Sequence, residues 1–235
     1  MSLVEHLTEL RKRLVISVAA VGLGAIVGFL LYNHILHLLL EPYCHVHHRA
    51  LAGCKLYAQD PLEPFLVRLK VASWTGFVLA SPVVFWQVWR FVTPGLQTRE
   101  KKYAVPFVLS SVVLFLLGGL VAWLTFPKAL DFLVGVGGPS LLTIFSPGKY
   151  LRLIILMIVA FGLAFEFPVL LVFLELAGVV SSRQLKNWRR PAIVVIFVVA
   201  AVITPSQDPW SLFAMALPMC LFYEGAILVG RILKK

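Results

Sequence analysis

The sequence predicts an all-α integral membrane protein, with six transmembrane helices and both termini in the cytoplasm. The chain of 235 residues is 60% hydrophobic and only 14% charged, with a mean hydropathy of +0.92. Soluble domains carry about 25% charged residues. Apolar segments of about 20 residues, long enough to cross the hydrocarbon core, alternate with short polar segments. We therefore expect one polytopic membrane domain over residues 1–235.

Positive charge sets the predicted orientation. The N-terminal segment, residues 90–102, residues 181–190 and the C-terminus carry 3, 4, 4 and 3 of the 21 Lys and Arg residues. With six spans these four clusters share one side, which the positive-inside rule places in the cytoplasm. The net charge of +10 is then a topology signal, and we expect no nucleic-acid partner. The apolar segment after Arg13 is too long for a signal-peptide core, so we expect it to remain in the mature protein.

The N-terminal segment predicts a helix that precedes the first span. Leucines recur at helical spacing over residues 2–13, which indicates an amphipathic helix on the membrane surface. Glu9 and Arg13 form a favourable i,i+4 pair. Glu9 is therefore either a structural partner of Arg13 or a recognition site. The first span is predicted at residues 14–40 and is expected to end at Glu41-Pro42.

The second and third spans are predicted at residues 65–89 and 103–126. Pro82 should kink the second span. Residues 127–149 are rich in Gly and Pro, and we expect them to form an ordered external loop rather than a span.

A short basic loop follows the second span. Trp86 and Trp89, one turn apart where apolar sequence meets charge, are typical of an interfacial aromatic belt. Pro94-Gly95 then ends the helix. Glu100 is the only acid among Arg99, Lys101 and Lys102. The loop is either a positive-inside loop with an incidental acid, or a membrane-surface site whose carboxylate receives a cation.

The fourth span, at residues 151–178, contains the acid that is most costly to bury. Glu166 lies near its middle, where a carboxyl group should face the bundle interior or a water-filled cavity. A structural bond to another helix is the alternative. Glu175 is nearer the charged end of the span, where we expect a lower free-energy cost of placing a carboxyl group.

The last two spans are predicted at residues 191–204 and 210–230. The first of them has too few apolar residues for an ordinary span, which indicates either a crossing pair in a thinned bilayer or a re-entrant hairpin. We expect the crossing pair, with Asp208 at a thinned external face. Glu224 lies inside the last apolar segment.

The sequence favours recognition over catalysis. It contains no P-loop, no His-Glu-x-x-His and no Gly-x-Ser-x-Gly pattern. Histidines follow Cys44 in a loop that also contains Cys54, but their spacing matches no closed zinc site, so we expect no metal and no cofactor. The two cysteines either pair or remain free thiols. Cytoplasmic acids such as Glu9 and Glu100 suit a cationic partner, because guanidinium groups bind carboxylates in a bidentate geometry.

Several motifs, spread over nearly the whole chain, resemble those of the TatC family, the polytopic subunit of the twin-arginine protein translocase. They are Glu5-His-Leu-Thr-Glu-Leu-Arg-Lys-Arg-Leu14, the segment from Ser81-Pro82 to Glu100-Lys101, Ala160-Phe-Gly-Leu-Ala-Phe-Glu-Phe-Pro168, Arg190-Pro191, Thr204-Pro205 and Pro218-Met-Cys-Leu-Phe-Tyr-Glu-Gly225.

The resemblance implies a concave, glove-like bundle of six helices with short fifth and sixth spans. It implies a receptor for the paired arginines of signal peptides on folded cargo, with Glu9 and Glu100 as contacts and Phe91 beside them. Pro42 matches a family proline of the first external loop, and Glu166 matches the family's intramembrane acid.

The resemblance also implies partners and a location. The partners are single-span subunits of the TatA and TatB types, in an oligomeric complex in the cytoplasmic membrane of a prokaryote. Export is driven by the proton-motive force, and no enzyme activity is implied. The alternative function is a proton-coupled secondary transporter of small solutes, with Glu166 as its proton carrier.

Overall fold

The computed structural model describes residues 3–47, 56–92, 104–138 and 145–232, and within these ranges all regular structure is helical. The helices are α1 (Leu3–Leu30), α2 (Tyr32–His47), α3 (Glu63–Val92), α4 (Ala104–Val136), α5 (Pro147–Ala164), α6 (Phe167–Leu176), α7 (Ser182–Asn187), α8 (Arg189–Ile203) and α9 (Pro209–Ile232). The predicted all-α class is confirmed.

Five helical segments in the described ranges are long and apolar enough to cross a membrane; they comprise α1, α3, α4, α5 with α6, and α9. α8 has 15 residues, or about 22 Å of helix, which is short against a hydrocarbon core of about 30 Å. This agrees with the short fifth span that we predicted. α9 has 24 residues and is longer than the short sixth span that we expected.

The chain forms two compact units. Unit 1 comprises Met1–Ile35 and Arg68–Val113, and unit 2 comprises Leu36–Val67 and Leu114–Lys235.

Unit 1 is built on close contact between α1 and α3. A Cβ added at Gly24 would lie 2.7 Å from the carbonyl oxygen of Gly76, and one added at Gly76 would lie 2.4 Å from the backbone nitrogen of Ala25. Such approach is possible only where both helices present small residues. The backbones of α1 and α3 are therefore in van der Waals contact at this level.

Two expectations for unit 1 are wrong. The surface helix at residues 2–13 and the first span form one continuous helix, since no Gly or Pro occurs between Leu3 and Val21 to interrupt it. Trp89 is not an interfacial belt residue. It is buried, its Nε1 donates a hydrogen bond to Ser111 Oγ at 2.9 Å, and its ring stacks on Phe107.

In unit 2, the helices α6, α7 and α8 pack against α9. Tyr150 is fully buried, and its hydroxyl donates a hydrogen bond to the carbonyl oxygen of Leu39 at 2.7 Å. α4 continues through Pro127 to Val136, so the external loop predicted at residues 127–149 is much shorter than expected. Its described part is limited to residues 137–138 and 145–146.

Buried neighbours explain why α4 passes through Pro127. A proline inside a helix removes one backbone hydrogen bond. Here Phe126, Ala129 and Leu130 are all completely buried, and their packing offsets that loss.

The fourth span is interrupted where Glu166 lies. α5 ends at Ala164 and α6 begins at Phe167. Pro168 has no N–H group, so it cannot donate a helical hydrogen bond to the carbonyl oxygen of Ala164. The chain passes through a tighter turn instead, in which the Glu166 N–H donates to the carbonyl oxygen of Leu163 at 3.1 Å.

Candidate functional site

The first turns of α1 and the last turns of α3 enclose an open depression of about 550 Å³ in unit 1. Acidic, basic and uncharged polar side chains line it together. The lining residues are Glu5, Thr8, Glu9, Lys12, Arg13, Ile16, Gln87 and Arg90.

Glu9 lies at the centre of the polar contacts in this depression. Its Oε1 accepts hydrogen bonds from Nε of Arg13, at 3.1 Å, and from Nη2 of the same guanidinium. The Arg13 Nη1 atom also points toward Gln87 Oε1 at 3.5 Å. Within the described residues, Glu9 Oε2 accepts no hydrogen bond. The predicted i,i+4 pair is therefore present, and it uses one carboxylate oxygen of Glu9.

Phe91 lies at the same end of unit 1. Its ring stacks on the imidazole of His6, with the ring centroids 4.4 Å apart. His6 precedes Glu9 by one helical turn, and Arg90, the neighbour of Phe91, lines the depression with Glu9. The structure thus places two of the three residues expected at the recognition site, Glu9 and Phe91, at the same end of unit 1. The third, Glu100, lies outside the described residues.

The other two acids singled out in the fourth span lie in different surroundings. Glu166 is half-buried and occupies the position before α6, where its side chain makes no capping hydrogen bond. Glu175, in contrast, is only 1% exposed, and its Oε1 accepts a hydrogen bond from Ser182 Oγ at 2.8 Å. The expectation of a lower burial cost at Glu175 is therefore wrong.

The burial of Glu175 depends on contacts between elements distant in sequence. Gly230 of α9 is so close that an added Cβ would lie 2.2 Å from Glu175 Oε1. Because α7 and α9 enclose the carboxyl group only after folding, no local sequence signal indicates its burial.

Pro42 does not end a helix but lies buried inside α2. A proline at this position leaves the carbonyl oxygen of Leu38 without its helical donor. Trp123 Nε1 points toward that oxygen at 3.4 Å and partly replaces the missing bond. The helix break occurs earlier, at Leu31 between α1 and α2.

The polar segment that follows Pro42 continues α2 to His47 and is described only in part. Cys44 is disulfide-bonded. Residues 45–47 belong to α2, whereas His48 and Cys54 lie outside the described residues.

Glu224 makes an exposed ion pair, in which its Oε2 accepts from Nη2 of Arg189 at 2.5 Å. Such surface pairs contribute about 0–1 kcal/mol to stability.

Asp208 is buried and acts as the N-cap of α9. Its Oδ1 accepts a hydrogen bond from the backbone N–H of Ser211 at 2.8 Å, and its Oδ2 accepts one from Ser206 Oγ at 2.5 Å. A carboxylate before the first turn of a helix satisfies an N–H group that has no partner within the helix. This contact gives Asp208 a structural role in the turn between α8 and α9.

We expect Asp208→Ala to lower the free energy of unfolding by about 1–2 kcal/mol, because the cap of α9 is lost. Asp208→Asn keeps an oxygen that can accept from Ser211 and should be close to the parent protein. Thermal unfolding of both variants in detergent checks this. Equal destabilisation by the two substitutions would show that the negative charge, rather than capping, is what matters.

The sequence of this chain matches a known protein family. The family model for TatC, the Sec-independent protein translocase protein, matches residues 5–218. The chain is 38% identical to the TatC protein of Aquifex aeolicus over 99% of this chain and 95% of that protein. It is 41% identical to the TatC protein of Frankia casuarinae over 98% of this chain. It spans only 65% of the Frankia protein and 62% of the TatC protein of Corynebacterium kroppenstedtii.

The fold agrees with the sequence comparison. A crystal structure described as the twin-arginine translocase receptor TatC, determined in the detergent DDM, superimposes with a TM-score of 0.76. The two chains are 38% identical in sequence. The match covers 96% of this chain and 99% of the chain in the crystal structure. Both the sequence and the arrangement of helices show that this chain belongs to the TatC family of Sec-independent protein translocase proteins.

Proposed function

We propose that this chain is the signal-peptide receptor and core subunit of a twin-arginine translocase. It binds the Arg-Arg signal peptides of folded proteins at the cytoplasmic face of the membrane. The observation that carries this proposal is the Glu9 carboxylate, which already holds a guanidinium group one helical turn from His6, the residue on which Phe91 stacks. The similarity to a solved twin-arginine translocase receptor supports the same function.

The contact between Glu9 and Arg13 is a model for the proposed recognition. Two nitrogens of one guanidinium bond to the carboxylate, whereas the compact ammonium of lysine cannot offer two donors in a fixed plane. An incoming arginine displaces Arg13, or the Glu9 side chain turns to present Oε2, which is buried and accepts no hydrogen bond from the described residues. This geometry favours arginine over lysine in the signal peptide.

Two paired arginines require more than one acid. We assign the second contact to Glu100, the only acid in its basic loop. Phe91 offers an aromatic face on which a guanidinium can stack, and the ring currently packs on His6. One carboxylate for each arginine, together with the aromatic ring of Phe91, gives the site its specificity.

The rest of the assembly follows from the same proposal. The chain crosses the cytoplasmic membrane several times, with both termini in the cytoplasm, and assembles with single-span subunits of the TatA and TatB types. Export is driven by the proton-motive force. Glu166 serves as a half-buried polar group in the fourth span that contacts these partners or water.

An export assay tests the function in a cell that lacks its own twin-arginine translocase. The chain is produced with and without single-span subunits, together with a folded fluorescent reporter that carries an Arg-Arg or a Lys-Lys signal peptide. We expect export of the Arg-Arg reporter only when the single-span subunits are present, and little export of the Lys-Lys reporter.

The same assay, combined with a flux measurement, distinguishes the proposed function from the alternative one. A proton-coupled solute transporter predicts solute flux by this chain alone in vesicles, and no dependence of export on the paired arginines. Flux without partners, combined with failure to export the Arg-Arg reporter, would contradict the proposal.

A further inference from the structure

Unit 2 has a second open depression, of about 530 Å³, between α4 and α9. It lies in a different unit from the recognition site, and the proposed function does not use it. Its walls are mainly apolar and include Leu124, Phe213 and Leu217, each about half exposed. Thr125 also lines it, but the threonine hydroxyl donates to the carbonyl oxygen of Val121 at 2.7 Å. The depression is therefore an apolar groove that opens to the surroundings.

A single cation lies among the described residues that line this groove. The Lys128 ammonium is 5.4 Å from the centroid of the Trp210 ring, a distance that allows a cation–π contact. Within the described part of the chain, Lys128 makes no ion pair with a carboxylate. Asp131 lies one turn further along α4 and is exposed.

The position of this cation along the helices fits a membrane interface. In the proposed topology α4 runs outward from the cytoplasm, and Lys128 lies roughly 36 Å along it from Ala104 at 1.5 Å per residue. Trp210 is in the first turn of α9, at the same external end. Trp and Lys are the residues that anchor at the level of lipid headgroups.

We propose that this groove binds an anionic phospholipid of the external leaflet. The phosphate lies against the Lys128 ammonium, and an acyl chain lies along Leu124, Phe213 and Leu217. The charges are complementary, because Lys128 has no carboxylate partner among the described residues and an anionic headgroup offers its phosphate. The acyl chain covers apolar side chains at the depth where hydrocarbon is expected.

Native mass spectrometry of the purified chain in detergent tests this site. The protein is incubated with equal amounts of dioleoylphosphatidylglycerol and dioleoylphosphatidylcholine, and the retained lipid is counted. We expect preferential retention of phosphatidylglycerol. Lys128→Gln should reduce that preference about fivefold, the effect of one basic residue near an anionic headgroup. Lys70→Gln, at an exposed lysine of α3, is the matched control and should retain the preference.

Two further experiments show which part of the lipid the groove binds. Leu217→Trp fills the groove and should reduce retention of both lipids, because it blocks the acyl chain. Glycerol 3-phosphate, which has the headgroup phosphate without acyl chains, should not displace the bound lipid. Equal retention of the two lipids, an unchanged preference in Lys128→Gln, or displacement by glycerol 3-phosphate would each overturn the proposal.

Discussion

A valine in place of Gly76 will prevent α1 and α3 from packing and will destabilise unit 1 severely. Even a Cβ at this position would lie 2.4 Å from the backbone nitrogen of Ala25 and 2.6 Å from the carbonyl oxygen of Val21. Both are backbone atoms of α1, so no side-chain rotation relieves the overlap. Overpacking typically costs about 1–3 kcal/mol, and we expect at least the upper end of that range here.

The matched control for this change is Gly22→Val. Gly22 is a glycine of α1, the helix that Gly76 of α3 packs against, but no atom lies within 4 Å of a Cβ added at Gly22. Tryptophan fluorescence during thermal unfolding in detergent should show a large loss of stability for Gly76→Val and little change for Gly22→Val. Similar unfolding temperatures for the two variants would show that the two helices do not approach as closely as described.

Replacing Glu9 with glutamine will weaken binding of a twin-arginine signal peptide by on the order of tenfold to a hundredfold. Glutamine keeps the shape of the side chain but replaces the negative charge with a neutral amide. The charged hydrogen bonds to a guanidinium are then lost. Fluorescence anisotropy of a labelled peptide with the purified variant measures the effect.

Arg13→Gln separates the two interpretations of Glu9. If Glu9 only pairs with Arg13, removing the arginine should impair the protein as much as removing the acid. If Glu9 receives the peptide arginine, Arg13→Gln removes a competing guanidinium and should leave peptide binding unchanged or stronger. Equal loss of binding in Glu9→Gln and Arg13→Gln would support the structural interpretation alone.

The sequence predicts best those features that depend on local spacing. The all-α class follows from the length and the apolar content of the segments, and the Glu9–Arg13 pair follows from a separation of one helical turn. The short α8 was also predictable, because few apolar residues separate Pro191 from the turn at Thr204.

Prolines show why helix boundaries were harder to predict. Pro42 and Pro127 were expected to end helices, yet both lie inside them. Pro42 is tolerated in part because Trp123, from a distant segment, points a donor toward the carbonyl oxygen of Leu38. Pro168, in contrast, coincides with a break between α5 and α6. Whether a proline interrupts a helix therefore depends on tertiary contacts that the local sequence does not contain.

The candidate site also combines features that the local sequence predicts with features that depend on tertiary contacts. The acids were identifiable from the sequence because an isolated carboxylate in a basic or apolar segment is conspicuous. The contact between His6 and Phe91 was not predictable, since these residues are distant in sequence and meet only when α1 packs on α3. The same reason explains the unexpected burial of Glu175 between α7 and α9.

The most direct test of the recognition mechanism compares two signal peptides that differ only in their paired residues. Binding of a twin-arginine peptide and of an otherwise identical twin-lysine peptide is measured on the purified chain and on Glu100→Ala. We expect the parent chain to prefer arginine and Glu100→Ala to lose this preference. Equal binding of both peptides, unchanged by the substitution, would contradict this expectation and would make the acid of the basic loop incidental.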